Sequence, residues 1–361
     1  MKVLYVTGMN STKYGGLEKY NIELAKKGIE LSLIYNSIPQ SKEYLKDIKK
    51  NNITFHTIDG SLLKRTIQTI RIIRHEKPSI IHYHFGKLIY FLVPLCFILF
   101  PKIKQIYTVH CELPRYSTIE YLLMNICAYC LDLIVCVSEG VKSQFIEKFN
   151  YTQKTIVSYL GVEKKQLIED NLKVKLNINN DDAVLTSIGF DIYVKGYDIL
   201  AKAIKKLKNI NGIPPFKVLI IGLSKNEEER FDEILKRLEI TDSVISVGIV
   251  NNIDDYLDIT DIYLQPSRNE AISLSIMEAM LYALPIIATN TGGIPEVCIN
   301  DENGFLFEKG DDYILTLLMH KLITNAELRR SMGIKSYEFS SKFSLEKSID
   351  SIINIYTILG N

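Results

Sequence analysis

The feature that most limits what this chain can fold into is an alternation that runs along it twice. Apolar runs at 2–7, 31–35, 53–58, 79–84, 105–110 and 133–137 read as strands. Stretches of helical spacing lie between several of them, among them GGLEKYNIELAKKG, SLLKRTIQTIRIIRHEK and EGVKSQFIEKF. Strands linked through helices are parallel, and a parallel sheet carries helices on both faces. Around 160–182 the rhythm lapses into GVEKKQLIEDNLKVKLNINNDD, polar and without a long apolar run, which reads as the passage between domains. It then restarts. Strands are predicted at 183–189, 217–222, 244–247, 261–265, 285–289 and 304–307, and helices over 196–208, 226–238, 273–283 and 311–322. The expectation is two α/β domains, 1–165 and 166–343, facing each other across a cleft, a preferred place for a ligand. The closing stretch FSLEKSIDSIINIYTILGN reads as an amphipathic helix. Ser344 is placed to cap it, with Lys347 rather than Glu at the third helical position, so the capping box is incomplete.

With 361 residues, 47% of them hydrophobic, the chain is long enough for two domains and too apolar to be disordered. The net charge of +1 hides an asymmetry. Residues 1–160 carry 21 Lys and Arg against 12 Asp and Glu, and the remainder 22 against 30. If this split is not chance, the basic half is the one that meets an anionic surface or substrate. Nucleic acid is not expected as a partner, because the basic residues are spread out and no DNA- or RNA-binding motif accompanies them.

Six cysteines do not make a disulfide framework in a chain of this length. CAYC at 127–130 has no second ligand pair at zinc spacing and reads as small apolar residues on one helix face. LIYFLVPLCFILF at 88–100 is thirteen apolar residues, short of the roughly 20 that a span needs, and Pro94 interrupts it. It reads as a buried helix, with shallow interfacial contact as the alternative. The chain opens on a strand, MKVLYVTG, with no visible signal peptide, so the cytoplasm is the expected location.

In EAISLSIMEAM, Glu270 and Glu278 stand eight positions apart around an expected helix start. If that helix begins near Ser273 or Ser275, its free N–H groups form an anion site. A phosphate on the amides of residues 272–275 would have one carboxylate on each side. Carboxylates accept hydrogen bonds and sugar hydroxyls donate them, so one could hold a hexose and the other a ribose. The plainer alternative makes Ser275 and Glu278 a capping box and Glu270 a solvated loop residue.

The text that follows decides how this is read. PSRNEAISLSIMEAMLYALPIIATNTGGIPEVCINDENGFLF resembles the donor-domain signature of glycosyltransferase family four, the large retaining group with the GT-B fold, and Glu270 and Glu278 match its E-x7-E motif. The likeness runs over nearly the whole chain. GGLEKY resembles the family's glycine-rich loop, TVHCE its strand ending in histidine, CVSEGVKSQF and YLGVE its segments ahead of the linker, and KGYDIL its lysine-glycine helix start. The resemblance implies two Rossmann-like domains, with the C-terminal helix, 344–361, packing back on the first. It implies that the first domain binds the acceptor and the second a nucleotide sugar, UDP- or GDP-linked, as co-substrate.

Roles follow from the resemblance residue by residue. Glu278 would bind the ribose, Glu270 the donor sugar, and the amides of Ser273 and Leu274 the distal phosphate. Lys195 would neutralise the diphosphate, and Ile249 and Val250 would lie near the base. Gly15 and Gly16 would let backbone approach the phosphates. His110 would sit over the anomeric centre, while His82 and His84 are read as core or cleft lining. With neither a D-x-D nor a metal-ligand cluster in the sequence, no metal and no cofactor are expected. Domain closure would exclude water.

The chain also departs from the family. Many members carry an arginine after the strand glycine, where Phe190 stands here, and Arg268 is the candidate to compensate. That departure keeps open a catalytically inactive binding or partner subunit. An epimerase or phosphorylase of the same fold would need ionisable groups around the sugar, greater length or a pyridoxal lysine. The acceptor is expected to be a saccharide or a lipid-linked one, as in bacterial surface-polysaccharide assembly. LKRTIQTIRIIRHEK sets Lys64, Arg65, Arg71 and Arg74 among apolar residues, so contact with anionic lipid at the inner membrane face is a further expectation, against an ordinary helix with a solvated basic face.

Overall fold

Hydrophobic runs and helical stretches sort into two units in the computed structural model, which describes every residue except 12, 13, 114, 115, 170 and 361. The units are Met1–Leu160 with Leu345–Asn361, and Gly161–Ser344. The first alternates β1 (Lys2–Val6), α1 (Gly16–Lys26), β2 (Glu30–Tyr35), α2 (Lys42–Lys50), β3 (Thr54–Thr57), α3 (Leu62–Glu76) and β4 (Ile80–Tyr83). It continues with α4 (Ile89–Leu99), β5 (Lys104–Val109), α5 (Thr118–Cys130), β6 (Leu133–Cys136), α6 (Glu139–Phe149) and β7 (Thr155–Val157). Its sheet is parallel, in the order β3-β2-β1-β4-β5-β6-β7, with Val3 opposite Leu31 on one side and Ile80 on the other.

The second unit contains α7 (Leu172–Lys175), β8 (Ala183–Ile188), α8 (Tyr197–Lys208), β9 (Phe216–Ile221), α9 (Lys225–Leu238), β10 (Val244–Gly248), α10 (Asp254–Asp258) and β11 (Ile262–Gln265). α11 (Leu274–Met280), β12 (Ile286–Thr289), β13 (Gly304–Phe307), α12 (Asp312–Thr324) and α13 (Ala326–Ser340) complete it. Its sheet, β10-β9-β8-β11-β12-β13, is parallel too. The last helix, α14 (Leu345–Gly360), returns to the first unit. There Leu345, Ile349, Ile352 and Tyr356 join the core of Val3, Tyr5, Leu31 and Leu33. The Tyr356 hydroxyl meets that of Tyr5 at 2.6 Å.

All twelve strands expected from the apolar runs are present, each within a residue or two. β7, three residues long, was not expected, because TIV is too short to stand out as an apolar run. α13 was missed for another reason. It buries Met332, Gly333, Ser336 and Ser340, a face of small and polar residues without hydrophobic period. The polar stretch after 160, read as the passage between domains, is held through its backbone: Lys165 and Ile168 donate N–H to the buried carboxylates of Asp254 and Asp255, at 2.9 and 2.7 Å. Backbone satisfied in this way needs no apolar run to hold it in place. One expectation needs correction: the helix at 88–100 is buried on one side only. Ile89, Leu92, Val93 and Cys96 face inward, and Phe91, Leu95 and Ile98 face outward. Among the described residues, no helix is long and apolar enough to cross a membrane.

Candidate active site

In the second sheet the strand order reverses between β8 and β11, which are neighbours although far apart in sequence. Loops leaving the carboxyl ends of two such strands diverge and leave a crevice, the usual ligand position in open α/β sheets. Two of the sequence-predicted charged groups, Lys195 and Glu270, come from these two loops. Lys195, in the loop after β8, donates to the carboxylate of Glu270, in the loop after β11, at 2.6 Å. The side chains retain 13% and 14% exposure. Gln265 at the end of β11 donates to the same Glu270 oxygen at 3.3 Å, and so does Ser267 at 3.4 Å. Gln265 also accepts from Ser275 at 3.1 Å, and Ser275 meets Ser273 at 3.1 Å, so one network links Glu270 to the start of α11.

The start of α11 settles one alternative. Ser273 is the cap, its hydroxyl accepting the Ile276 N–H at 3.3 Å. Ser275 lies inside the helix with its hydroxyl on Gln265, so Ser275 and Glu278 do not form a capping box. Glu278 is half-buried on this seven-residue helix. Leu274 is its first residue. Ile249 and Val250 follow β10, the edge strand two places from β8, and Ile249 is 71% exposed.

Arg268 does not stand in for the arginine that Phe190 replaces. Its guanidinium is bound two-pronged to Asp198 at 2.7 and 2.8 Å, donates to the Tyr193 carbonyl at 2.7 Å and lies 4.1 Å over the Tyr193 ring. These bonds tie it to the β8 loop at Tyr193 and to the first turn of α8 at Asp198. Phe190 is 69% exposed. Sequence reading missed Gln265, Ser267 and Asp198 as partners, although a glutamine closing the apolar run DIYLQ is a visible anomaly.

Gly189 is a further positioning residue. A Cβ built on it would come within 2.4 Å of Lys195 Cγ and 2.9 Å of its Cδ and Cε, so the lysine stem runs over the bare glycine. The obstacle is a flexible side chain, not backbone. Gly189→Ala is expected to displace the ammonium and cut turnover about ten-fold, on the scale set by small misplacements of charged groups, with the melting temperature little changed. Unaltered kcat would show that the Lys195 position does not matter.

In the first unit, the strand order reverses between β1 and β4. Gly15 precedes α1 in the loop after β1 and donates its N–H to Glu18 at 3.1 Å, while Ser11 donates to the other Glu18 oxygen at 2.8 Å. The Gly15 amide therefore already has a partner, and Gly16 is the first residue of α1. His110, after β5, is half-buried and shares a hydrogen bond with His84 at 2.9 Å. It stacks on His84 and on Phe85. His82 bridges the Tyr356 hydroxyl and Thr108, each at 2.6 Å. Both His82 and His84 are buried, which fits the core alternative of the two that the sequence left open.

Burial pushes the His82 imidazole down to about 3 and that of His110 to about 4, and His84 is lowered well below its usual range by the same cause. In the unfolded chain these rings take up protons near pH 6.5. Below that pH the unfolded state binds more protons than the folded one, so stability is full above about 6.5 and declines as pH falls towards these lower values. Carboxylates contribute only at lower pH, where they titrate. Urea unfolding between about pH 5 and 6.5 is expected to show falling stability, flattened in His82→Asn. A pH-independent midpoint over that window would contradict it.

Among the described residues no group of three or more His, Cys, Asp or Glu is placed to hold a metal ion. Cys127 and Cys130 are buried thiols on α5.

Two parallel-sheet units with these topologies define a GT-B glycosyltransferase fold. The chain superposes on Alr3699/HepE of Anabaena, solved with UDP-glucose, with a TM-score of 0.84 over 99% of each chain at 19% identity. The family models for glycosyl transferases group 1 and glycosyltransferase family 4 match residues 168–339 and 14–166, and the chain belongs to that family of glycosyltransferases. It is 32% identical to an uncharacterized glycosyltransferase of Haemophilus influenzae over 64% of this chain and 62% of that one. A similar relative from Methanocaldococcus jannaschii is matched over 60% of its length, so these two likenesses leave more than a third of each relative uncovered. The capsular polysaccharide biosynthesis glycosyltransferase CapM of Staphylococcus aureus is 25% identical over 92% of each chain.

Proposed function

We propose that the protein is a retaining glycosyltransferase that moves a hexosyl unit from a UDP- or GDP-linked sugar to a saccharide or lipid-linked acceptor in surface-polysaccharide synthesis. The observation that carries the reading is the Lys195–Glu270 pair at the strand-order reversal of the second sheet. An ammonium there is a point charge for a leaving diphosphate, and the carboxylate beside it accepts from sugar hydroxyls. Likeness to CapM supports the polysaccharide setting, and the UDP-glucose complex of HepE supports a nucleotide-sugar donor.

In the proposed step the acceptor oxygen bonds to the anomeric carbon on the face the diphosphate leaves. The bond from that carbon to the phosphate oxygen breaks, and the acceptor's proton passes to the departing oxygen. The products are a glycoside and a nucleoside diphosphate. No side chain serves as nucleophile; Lys195 screens charge and Glu270 orients the sugar. Ser273 and Leu274 amides hold the distal phosphate, Ile249 and Val250 lie at the base, Gly15 and Gly16 serve phosphate approach, and His110 serves the sugar, as the family resemblance assigns them. The anomeric configuration of the product, read by NMR, tests the reading. Retention is expected, and inversion would overturn it.

Glu278 is assigned the ribose hydroxyls. Charge-assisted hydrogen bonds are worth about 1.5–3 kcal/mol, so Glu278→Ala is expected to weaken nucleotide binding about 10- to 100-fold. Calorimetric titration with the nucleoside diphosphate measures it. Undiminished affinity would remove Glu278 from the site.

Phe190, together with the commitment of Arg268 to Asp198, favours one alternative, an inactive subunit that binds nucleotide sugars. Tight donor binding without turnover would carry it.

A further inference from the structure

We propose that the outer face of α3, α4 and α5 docks on the surface of an anionic lipid bilayer. α4 carries no charged residue between Lys87 and Lys102. Its outward residues Phe91, Leu95 and Ile98 repeat at helical spacing, and Ile98 is 73% exposed. On α5, Ile119, Leu122, Ile126 and Tyr129 form a second outward stripe at spacings of three and four, with Ile119 72% exposed. The two helices adjoin: the Cys127 thiol donates to the Ile89 carbonyl at 3.4 Å, and the Phe97 and Tyr129 rings lie 6.3 Å apart. Exposed apolar residues scattered singly are ordinary, but two aligned stripes on neighbouring helices make a contiguous patch, which marks a contact surface.

Charge selects the occupant. Residues 60–111 carry eight Lys and Arg and one acid, Glu76, and α5 adds one acid, Glu120, which pairs with Lys87 at 2.8 Å. The Glu76 carboxylate is buried and already serves Lys2, Ser32 and His56. α3 lies beside α4 and supplies exposed Arg71 and Arg74, while Lys102 is exposed beyond the end of α4 and Lys104, also exposed, pairs with Asp132 at 3.0 Å. An apolar face rimmed by cations is the pattern of a surface that sits in the headgroup layer of an anionic membrane, each cation adding to the attraction. No described helix is long and apolar enough to cross, so the face would lie on the bilayer. A second copy of the chain is a poorer occupant, because a two-fold contact would set this basic rim against itself.

Flotation of the full chain with vesicles, without donor, tests it. Probes are phosphatidylcholine alone and phosphatidylcholine with about one third phosphatidylglycerol, whose charge supplies the anionic surface. The protein is expected to float with the anionic vesicles and to be released by salt. Ile98→Asp combined with Leu122→Asp is expected to lower the bound fraction at least about ten-fold with the melting temperature unchanged, because both side chains are exposed. Arg71→Glu with Arg74→Glu is expected to lower binding to the anionic vesicles. Absence of flotation, or equal flotation of the aspartate variant, would overturn the proposal. So would a wild-type oligomer that the same variant converts to monomer without any vesicle binding, which would assign the face to a second copy.

Discussion

Lys195→Ala is expected to lower kcat about 100- to 1,000-fold, the range for loss of one preorganised group that stabilises developing charge. The argument is local. Lys195 Nζ stands 2.6 Å from Glu270 with 13% exposure, so its charge acts in a partly desolvated place where a leaving diphosphate would feel it strongly. Glu270→Gln is expected to lose turnover on the same scale, through lost orientation of the sugar. Removing one partner of a buried ion pair costs about 3–5 kcal/mol of stability. Here the loss should be smaller, because Gln265 and Ser267 still serve Glu270 when the lysine is gone. The double variant Lys195→Met with Glu270→Gln separates the effects: stability recovers, turnover does not. A Lys195→Ala enzyme within about three-fold of wild-type kcat would contradict the assigned role.

Gly196→Ala is expected to act on the fold. Gly196 has φ +69°, in the left-handed region, and a Cβ there would fall 2.0 Å from the Pro266 carbonyl oxygen and 3.0 Å from its carbon. The obstacle is backbone at the end of β11, which cannot turn away as a side chain can. The backbone strain and the overpacking together should cost at least about 3 kcal/mol. For a unit of this size that is roughly 6–12 °C in melting temperature. Because Gly196 joins Lys195 to α8 and Pro266 leads into the Glu270 loop, activity should fall with stability. The contrast with Gly189→Ala is the informative one: there the intruding methyl meets the Lys195 stem, so turnover is expected to fall while the fold remains. A melting temperature unchanged in Gly196→Ala would show that the two loops are not packed as described.

The strands were legible because a parallel sheet covered on both faces makes each of its strands an almost unbroken apolar run. β7 escaped because three residues make no run, and α13 because its buried face is built from glycine, serine and one methionine. The site was legible in part. Spacing singled out Glu270 and Glu278, the family resemblance added Lys195, and the fold brings Lys195 and Glu270 into contact. What spacing could not supply is the choice of partners in loops. Arg268 lies two residues from Glu270 in the chain, yet its guanidinium turns to Asp198 and Tyr193. Ser275 fits a capping box in sequence, yet the helix starts two residues earlier at Ser273, because Gln265 takes the Ser275 hydroxyl. Such outcomes depend on side chains from distant strands, which no local pattern records.

The most direct test of the central claim is release of free nucleotide from a panel of UDP-, GDP- and ADP-sugars, with membrane extract as acceptor source and Glu270→Ala as control. The account predicts release from one donor, abolished in the control. Silence across the whole panel, with the donors still binding as judged by thermal shift, would contradict it and assign the chain to the inactive binding subunit.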